Sequence, residues 1–342
     1  MKNIEQLVRQ NIIELQPYSS ARSEYYGKDG VFLDANESPY GELNRYPDPY
    51  QIELKQKLAS IKNFNAENIF IGNGSDEIID LAIRIFCEPG TDKILTFFPS
   101  YSMYEVSAAI NNVDVIQTHL DQNFDIDQQS LESYLNLSHL KIIFICSPNN
   151  PTGNLIKQHD LEFILKNFNG VVFLDEAYID FASSKSLIDW TNKYENLIVC
   201  QTLSKSWGLA SARIGVAFTN PTIITLFNKI KPPYSVSQLN QKAAINALNN
   251  IGKFKMNLDL IDQEKKRLIN ALQKIDAVKK IYPSDANFLL LEVTNADEIY
   301  RELVNEKIIV RNRNSYVPNC IRITVGTPEE NTKLINALKQ II

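Results

Sequence analysis

The stretch Thr202-Leu-Ser-Lys-Ser-Trp-Gly-Leu-Ala-Ser-Ala-Arg-Ile-Gly215 sets Lys205 among hydroxyls and apolar residues and follows it with Arg213. Burial disfavours an ammonium, so a lysine in semi-apolar surroundings is partly neutral, the form that condenses with a carbonyl to give a Schiff base. Thr202 and Ser204 add hydroxyl donors, and Arg213 adds a planar fork suited to a phosphate dianion. A carbonyl beside a phosphate points to pyridoxal 5'-phosphate. A solvated Ser-Lys loop followed by a helical arginine has the same letters, so other parts of the chain must decide.

In open α/β sheets ligands sit beyond the carboxyl ends of the strands, which makes polar residues just after apolar runs informative. Asp175 closes the run Val171-Val-Phe-Leu174 and is followed by Glu-Ala-Tyr178. Such a carboxylate can hold a pyridine nitrogen protonated, with Tyr178 reaching the ring oxygen, or it can cap the next helix. Cys146-Ser-Pro-Asn-Asn-Pro-Thr-Gly153 is a constrained turn that aims Asn150 inward as a second donor, although Asn-Pro and Thr-Gly form turns in any case. In Gly72-Asn-Gly-Ser-Asp76, glycine permits close approach and a new helix offers free N–H groups. Gly74, Ser75 and Asp76 are either a phosphate cradle or a plain strand-to-helix turn. Tyr101, with Tyr104 one turn on, can stack on a planar ring or pack in the core. Arg311-Asn-Arg313 and Arg322 flank the loop into the apolar run 321–325, where an arginine needs an anion from the protein or from a ligand.

These residues need a scaffold. The 342 residues, 44% of them apolar, suffice for one large domain plus a smaller one. Apolar runs predict strands at 69–71, 93–98, 113–118, 141–146, 170–175, 197–202 and 213–218. Helical spacing predicts helices at 50–62, 77–86, 101–111, 127–136, 157–168 and 221–230. That alternation is an α/β fold with a mostly parallel sheet sandwiched by helices. After Pro232-Pro233, helices at 238–250 and 253–275 lead to a smaller α/β unit with strands at 287–293 and 320–325 and helices at 295–306 and 328–341. Ile4, Leu7, Val8, Ile12, Ile13 and Leu15 suggest a helical arm or lid ending at Pro17, and 31–34 reads as a short strand. The expected division is an arm and small-domain segment at 1–45, a large domain at 46–235 and a C-terminal small domain at 236–342, joined by the arm.

Composition excludes several classes. The net charge is −5 and no basic block exists, which argues against a nucleic-acid partner. Apolar runs are strand-length and the N-terminus has no signal-peptide core, so no membrane is expected and the cytoplasm is. Cys87, Cys146, Cys200 and Cys320 form no C-x-x-C pair, and His119, His139 and His159 lie in no motif, so no metal is expected.

Taken together, Ser-Pro-Asn-Asn-Pro-Thr-Gly, Asp-Glu-Ala-Tyr and Thr-Leu-Ser-Lys, in this order, resemble the fold-type I pyridoxal-phosphate aminotransferases over nearly the whole chain. Leu15-Gln-Pro-Tyr-Ser-Ser-Ala-Arg22, Leu33-Asp-Ala-Asn-Glu37, Asn44-Arg-Tyr-Pro47, Phe86-Cys-Glu-Pro-Gly90 and Ile321-Arg-Ile-Thr-Val-Gly-Thr-Pro-Glu-Glu-Asn331 look like the histidinol-phosphate aminotransferase family. The resemblance implies that Lys205 bears the Schiff base and shuttles the proton. Asp175 pairs with the pyridine nitrogen, Asn150 and Tyr178 bind the ring oxygen, and Tyr101 stacks on the ring. Gly74, Ser75, Asp76, Thr202, Ser204 and Arg213 hold the phosphate, with Tyr46 reaching it from a second subunit of a homodimer with shared sites. It further implies Tyr18, Asn36 and Arg322 at the substrate, Arg322 serving glutamate and histidinol phosphate in turn, and Arg311 ahead of Arg313 as the second phosphate arginine. The implied reaction is ping-pong transfer from L-glutamate to imidazole-acetol phosphate, giving 2-oxoglutarate and L-histidinol phosphate. Aromatic or broad-range transamination, and threonine-phosphate decarboxylation, use the same cofactor residues and are the alternatives. A regulatory module on this fold needs an added DNA-binding domain, for which residues 1–28 leave no room.

Overall fold

A computed structural model describes residues 4–19 and 30–341. The apolar runs form two sheets. In the larger, β1 (Ile69–Asn73), β2 (Lys93–Phe98), β3 (Asp114–His119), β4 (Leu140–Cys146), β5 (Val171–Asp175), β6 (Leu197–Thr202) and β7 (Ile214–Phe218) lie in the order β1-β7-β6-β5-β4-β2-β3. Strands β2 to β6 are parallel, and β7 is antiparallel to both its neighbours. The predicted elements between 69 and 250 all form, with small shifts at their ends.

Successive residues of a strand face opposite ways, and here each face meets its own helices. Ile143 and Ile145 join Leu54, Leu58, Ile164 and Leu248 on one side, while Ile142 and Phe144 join Ile79, Ile83 and Phe227 on the other. Burial on both faces is what lets β4 and β5 be almost wholly apolar.

The C-terminal unit holds β8 (Val278–Ile281), β9 (Phe288–Val293), β10 (Arg311–Asn312) and β11 (Cys320–Thr324) in the antiparallel order β10-β11-β9-β8. Helices Ile251–Leu272, Ala296–Asn305 and Pro328–Gln340 cover it through Leu268, Leu303 and Leu338. Leu248 still belongs to the core of the large sheet, so the change of core falls along helix Ile251–Leu272.

Two expectations are corrected. The arm packs on the large sheet's helices rather than joining the small unit: Ile4, Val8 and Ile12 are buried against that core, and the Arg9 N–H donates to the Ile85 carbonyl at 3.0 Å. No strand forms at 31–34, because Val31 and Leu33 are each 88% exposed and, among the described residues, nothing pairs with them. Among the described residues no helix is long and apolar enough to cross a membrane, and no group of His, Cys, Asp and Glu could hold a metal ion.

Candidate active site

The carboxyl ends of β4, β5 and β6 carry Asn150, Asp175, Tyr178 and Lys205 to one cavity of about 350 Å³, and the C-terminal unit closes it with Arg311, Arg313, Tyr316 and Arg322. Asp175 ends β5 and is 2% exposed. Its carboxylate accepts the Tyr104 hydroxyl at 2.8 Å and the Ala177 N–H at 3.0 Å. Burial pushes its pKa up to about 6, and these two hydrogen bonds pull the other way. Near neutral pH it is therefore a buried anion awaiting a positive partner.

Lys205 points its amine at the Tyr178 ring, 5.6 Å from the centroid. Burial lowers its pKa and the nearby Arg322 lowers it further, against the pull of Asp175 and Asp76. Both leading causes enlarge the share of neutral, nucleophilic amine. Asn150 Nδ2 donates to the Tyr178 hydroxyl at 3.4 Å, and the Asn150 side-chain oxygen accepts from Arg322 Nη1. The two donors expected for one ring oxygen are thus neighbours.

Across the cavity, the turn before helix Ser75–Phe86 is forced close to Arg213. Gly74 has φ +82°, and a Cβ there would lie 2.5 Å from Arg213 Nη2; a Cβ on Gly215 would lie 2.4 Å from the Gly74 backbone. Only glycines allow β7 and this turn to touch. Arg213 pairs with Asp76 at 3.3 Å, and Asp76 also accepts the Tyr101 hydroxyl at 3.2 Å. Thr202 Oγ1 donates to the Ile214 carbonyl at 3.1 Å and accepts the Ser204 N–H at 3.1 Å, which folds the start of the Lys205 loop against β7.

Charge in this cavity is unbalanced. Among the described residues Lys205, Arg213, Arg311, Arg313 and Arg322 line it against the carboxylates of Asp76 and Asp175 alone. Among the described residues the enclosed Nε atoms of Arg313 and Arg322 have no hydrogen-bond partner. Excess positive charge with unsatisfied donors is a site for anions.

The family model for "Aminotransferase class I and II" matches residues 31–338. The chain belongs to the aminotransferases of class I and II. It is 50% identical to the histidinol-phosphate aminotransferase of Parabacteroides distasonis, over 100% of this chain and 99% of that one. Its fold is similar to the crystal structure of the histidinol-phosphate aminotransferase from Clostridium acetobutylicum, with TM-score 0.80 and 29% identity, over 87% of this chain and 91% of that one. The Sinorhizobium meliloti histidinol-phosphate aminotransferase, solved in complex with pyridoxal-5'-phosphate, shares the fold at TM-score 0.81 and 23% identity, over 90% of this chain and 89% of that one.

In this aminotransferase Ser75, Asp76, Tyr101, Asn150, Asp175, Tyr178, Thr202, Ser204, Lys205, Arg213, Arg311 and Arg322 meet in one cavity, with Gly74 against Arg213 at its edge. Tyr18 and Asn36 do not join them, and Tyr46, expected only from a second subunit, lies elsewhere on its own chain. Tyr18 lies in a small hollow with Tyr50, Lys231 and Tyr234. Asn36 and Tyr46 line an open groove of about 440 Å³, where Tyr46 stacks on Tyr234 at 4.4 Å. Arg22, which ends the first family-like motif, is outside the described residues. Sequence reasoning left Tyr104 as a stacking or packing residue, whereas it is fully buried, stacked on Phe144 and bonded to Asp175. Its position one helical turn after Tyr101 was the available signal. Tyr316 was missed outright, and nothing in its local sequence marks it.

Proposed function

We propose that this chain transfers the amino group of L-glutamate to imidazole-acetol phosphate, giving L-histidinol phosphate and 2-oxoglutarate, with pyridoxal 5'-phosphate as cofactor. The observation that carries the proposal is the pairing, across Lys205, of one anion cradle at Gly74, Ser75, Asp76 and Arg213 with a second at Arg311, Arg313 and Arg322. One cradle suits a cofactor phosphate and the other a substrate anion. The P. distasonis relative, matched along its whole length, names the reaction.

The residues fit the cofactor. The first-turn N–H groups at Ser75 and Asp76 have no acceptor within their helix and, with Thr202, Ser204 and Arg213, form a phosphate-binding set. Asp175 supplies the buried negative charge that a protonated ring nitrogen requires, and Asn150 and Tyr178 supply neighbouring donors for a ring oxygen. When bound, pyridoxal phosphate supplies an exchangeable carbonyl bond to the amine and a ring that withdraws electrons from the substrate α-carbon.

The chain's own groups do the remainder. Lys205, its amine kept partly neutral by burial, would hold the cofactor through its carbonyl carbon and, when the amine is free, would act as the base that moves the proton from the substrate α-carbon to the cofactor's C4' and back in the reverse half-reaction. Arg322, tied to Asn150, orients the substrate beside the Asn150 and Tyr178 pair. It accepts the glutamate carboxylate and the phosphate of the second substrate in turn, with Arg311 beside it across the β10–β11 pair. The protein acts as a cytoplasmic homodimer in which Tyr46 and Asn36 reach the partner's cavity, and Tyr18 closes on the substrate. The exposure of Tyr46, Leu43 and Leu239 around one groove supports that assembly.

The test is a visible spectrum of the purified protein, followed by L-histidinol phosphate alone. The expected result is a band that histidinol phosphate bleaches and 2-oxoglutarate restores. No band would overturn the role of Lys205. A band that answers only to phenylalanine, or carbon dioxide released from threonine phosphate, would move the activity to another substrate.

A further inference from the structure

Asp180 is a charged residue beside the site to which the chemistry above gives no task. It sits in the short turn Ile179–Phe181, two residues after Tyr178, and divides its carboxylate between two other segments. One oxygen accepts the Ser206 hydroxyl at 2.6 Å, and the other pairs with Lys62 at 3.2 Å. Ser206 follows Lys205, so this one carboxylate joins the turn that carries Tyr178 to the loop that carries Lys205. Tyr178 and Lys205 line the cavity, whereas Asp180 and Ser206 do not, which puts the tie behind the site.

The loop needs such an anchor. Its own bonds close it on itself: the Gly208 N–H donates to the Lys205 carbonyl at 3.2 Å, and the Leu209 N–H to the Leu203 carbonyl at 3.0 Å. Bonds of that kind fix the shape of a loop and leave its attitude to the rest of the fold unset. Trp207 holds the far end by stacking on Phe254 of helix Ile251–Leu272, with centroids 3.8 Å apart and planes at 9°. Ser206 holds the near end. It is 5% exposed, and a shielded hydroxyl that donates to an ionised carboxylate makes a stronger bond than a neutral pair. Lys62, the last residue of helix Ile52–Lys62, offsets the charge that Asp180 brings into half-buried surroundings.

The strands below are tied separately. Glu176 accepts the Leu187 N–H at 2.8 Å and the Gln201 side-chain amide at 2.9 Å, which links the end of β5 to the end of β6. Asp180 acts beyond those ends, where the two chains are no longer paired as strands. That is where the spacing matters chemically. Pyridoxal phosphate carries its carbonyl and its ring oxygen on neighbouring ring carbons, so the Lys205 amine and the Tyr178 hydroxyl have to be held at a set separation. The amine stands 5.6 Å from the centre of the Tyr178 ring.

We propose that Asp180, charged against Lys62 and acting through Ser206, is the positioning residue that holds the Lys205 amine at its working distance from Tyr178. This rests on the role given to Lys205 under the proposed function.

The experiment strips the full chain of cofactor and reloads it, for wild type, Asp180→Ala, Asp180→Asn, Ser206→Ala and the double variant Asp180→Ala with Ser206→Ala. The first readout is the rate at which added pyridoxal phosphate becomes fixed to Lys205. In that capture the amine bonds to the aldehyde carbon and the aldehyde oxygen leaves as water; borohydride then reduces the C=N bond, and peptide mass locates the adduct. The second readout is the dissociation constant of pyridoxamine phosphate by calorimetry, a ligand with the same ring and phosphate and no carbonyl for Lys205. Asp180→Ala is expected to slow capture about ten- to thirtyfold and Ser206→Ala about three- to tenfold, while pyridoxamine phosphate affinity stays within about twofold. The double variant is no slower than Asp180→Ala, since both changes break the same bond. Asp180→Asn keeps an acceptor for the hydroxyl and recovers most of the rate. Ser206→Ala leaves the pair of Asp180 and Lys62 in place, so the test stands even where Asp180→Ala misfolds. Capture at the wild-type rate in Ser206→Ala, equal losses in both readouts, or additive effects in the double variant would overturn the proposal and leave Lys205 in its role. A wild type with no adduct on Lys205 would remove that role instead, and the proposal with it.

Discussion

The two walls of the cavity are finished to different degrees. On the large-sheet wall most of the side chains that would hold the cofactor already have a complement: Asp175 has Tyr104 and Ala177, Asn150 has Tyr178 and Arg322, and Arg213 has Asp76. On the small-sheet wall the enclosed Nε atoms of Arg313 and Arg322 have no hydrogen-bond partner among the described residues. A wall that holds one resident molecule can be closed around it. A wall that must take and release two different anions in each cycle has to keep its donors free.

The strongest blow to this contrast falls on the resident side. Lys205→Ala is expected to lower turnover by more than about 10³-fold while non-covalent cofactor binding persists, as absorbance after gel filtration would show. Turnover within tenfold of wild type would end the reading. Asp175→Asn should cost about 10²–10³-fold in both half-reactions, because the preorganised negative charge is lost while the backbone contact at Ala177 remains.

Asp175 also gives a pH signature. Its folded pKa, about 6, lies above the ordinary aspartate value of 3.8. The native state therefore binds this proton more tightly than the unfolded chain does. The resulting stability is fully present below about pH 4 and is lost as the pH rises through about 6, an amount of about 3 kcal/mol from a difference of roughly two pKa units. Thermal melts of cofactor-free protein across that window should show a decline that Asp175→Asn abolishes; a flat profile in the wild type would refute it.

On the exchanging side the expected losses are smaller. Arg322→Ala should raise KM about 30- to 100-fold for both glutamate and histidinol phosphate. A defect confined to one substrate would show that the two anions are held by different arginines. Smallest is Tyr104→Phe, about threefold to tenfold in kcat with KM nearly unchanged, since Asp175 keeps its charge and loses one of two hydrogen bonds.

The large-sheet wall was also the more legible in sequence. Its strands are continuous apolar runs, and Asp175, Asn150 and Lys205 follow those runs within a few residues, so local pattern and site coincide. The small-sheet wall depends on pairing that no local pattern announces. β8 is Val-Lys-Lys-Ile and β10 is only Arg311–Asn312, both strands by virtue of their neighbours. The run at 31–34 shows the converse: β-like residues with no strand beside them among the described residues stay irregular. Tyr104 escaped assignment because its partner lies 71 residues away, across a fold that had first to bring β5 beside β4 and helix Met103–Ile110 beneath them.

The register across β10 and β11 has a bearing on how this aminotransferase can diverge. Arg311 sits opposite Arg322, and the turn 314–319 carries the chain from one strand to the other. Because side chains alternate with period two, that turn works as a parity counter for the site. Gaining or losing one residue there would swing Arg311 and Arg313 to the far face of the sheet, whereas a change of two would keep them facing the cavity while sliding them along Arg322. Length variation at this hairpin is thus a coarse switch in odd steps and a fine adjustment of anion spacing in even ones.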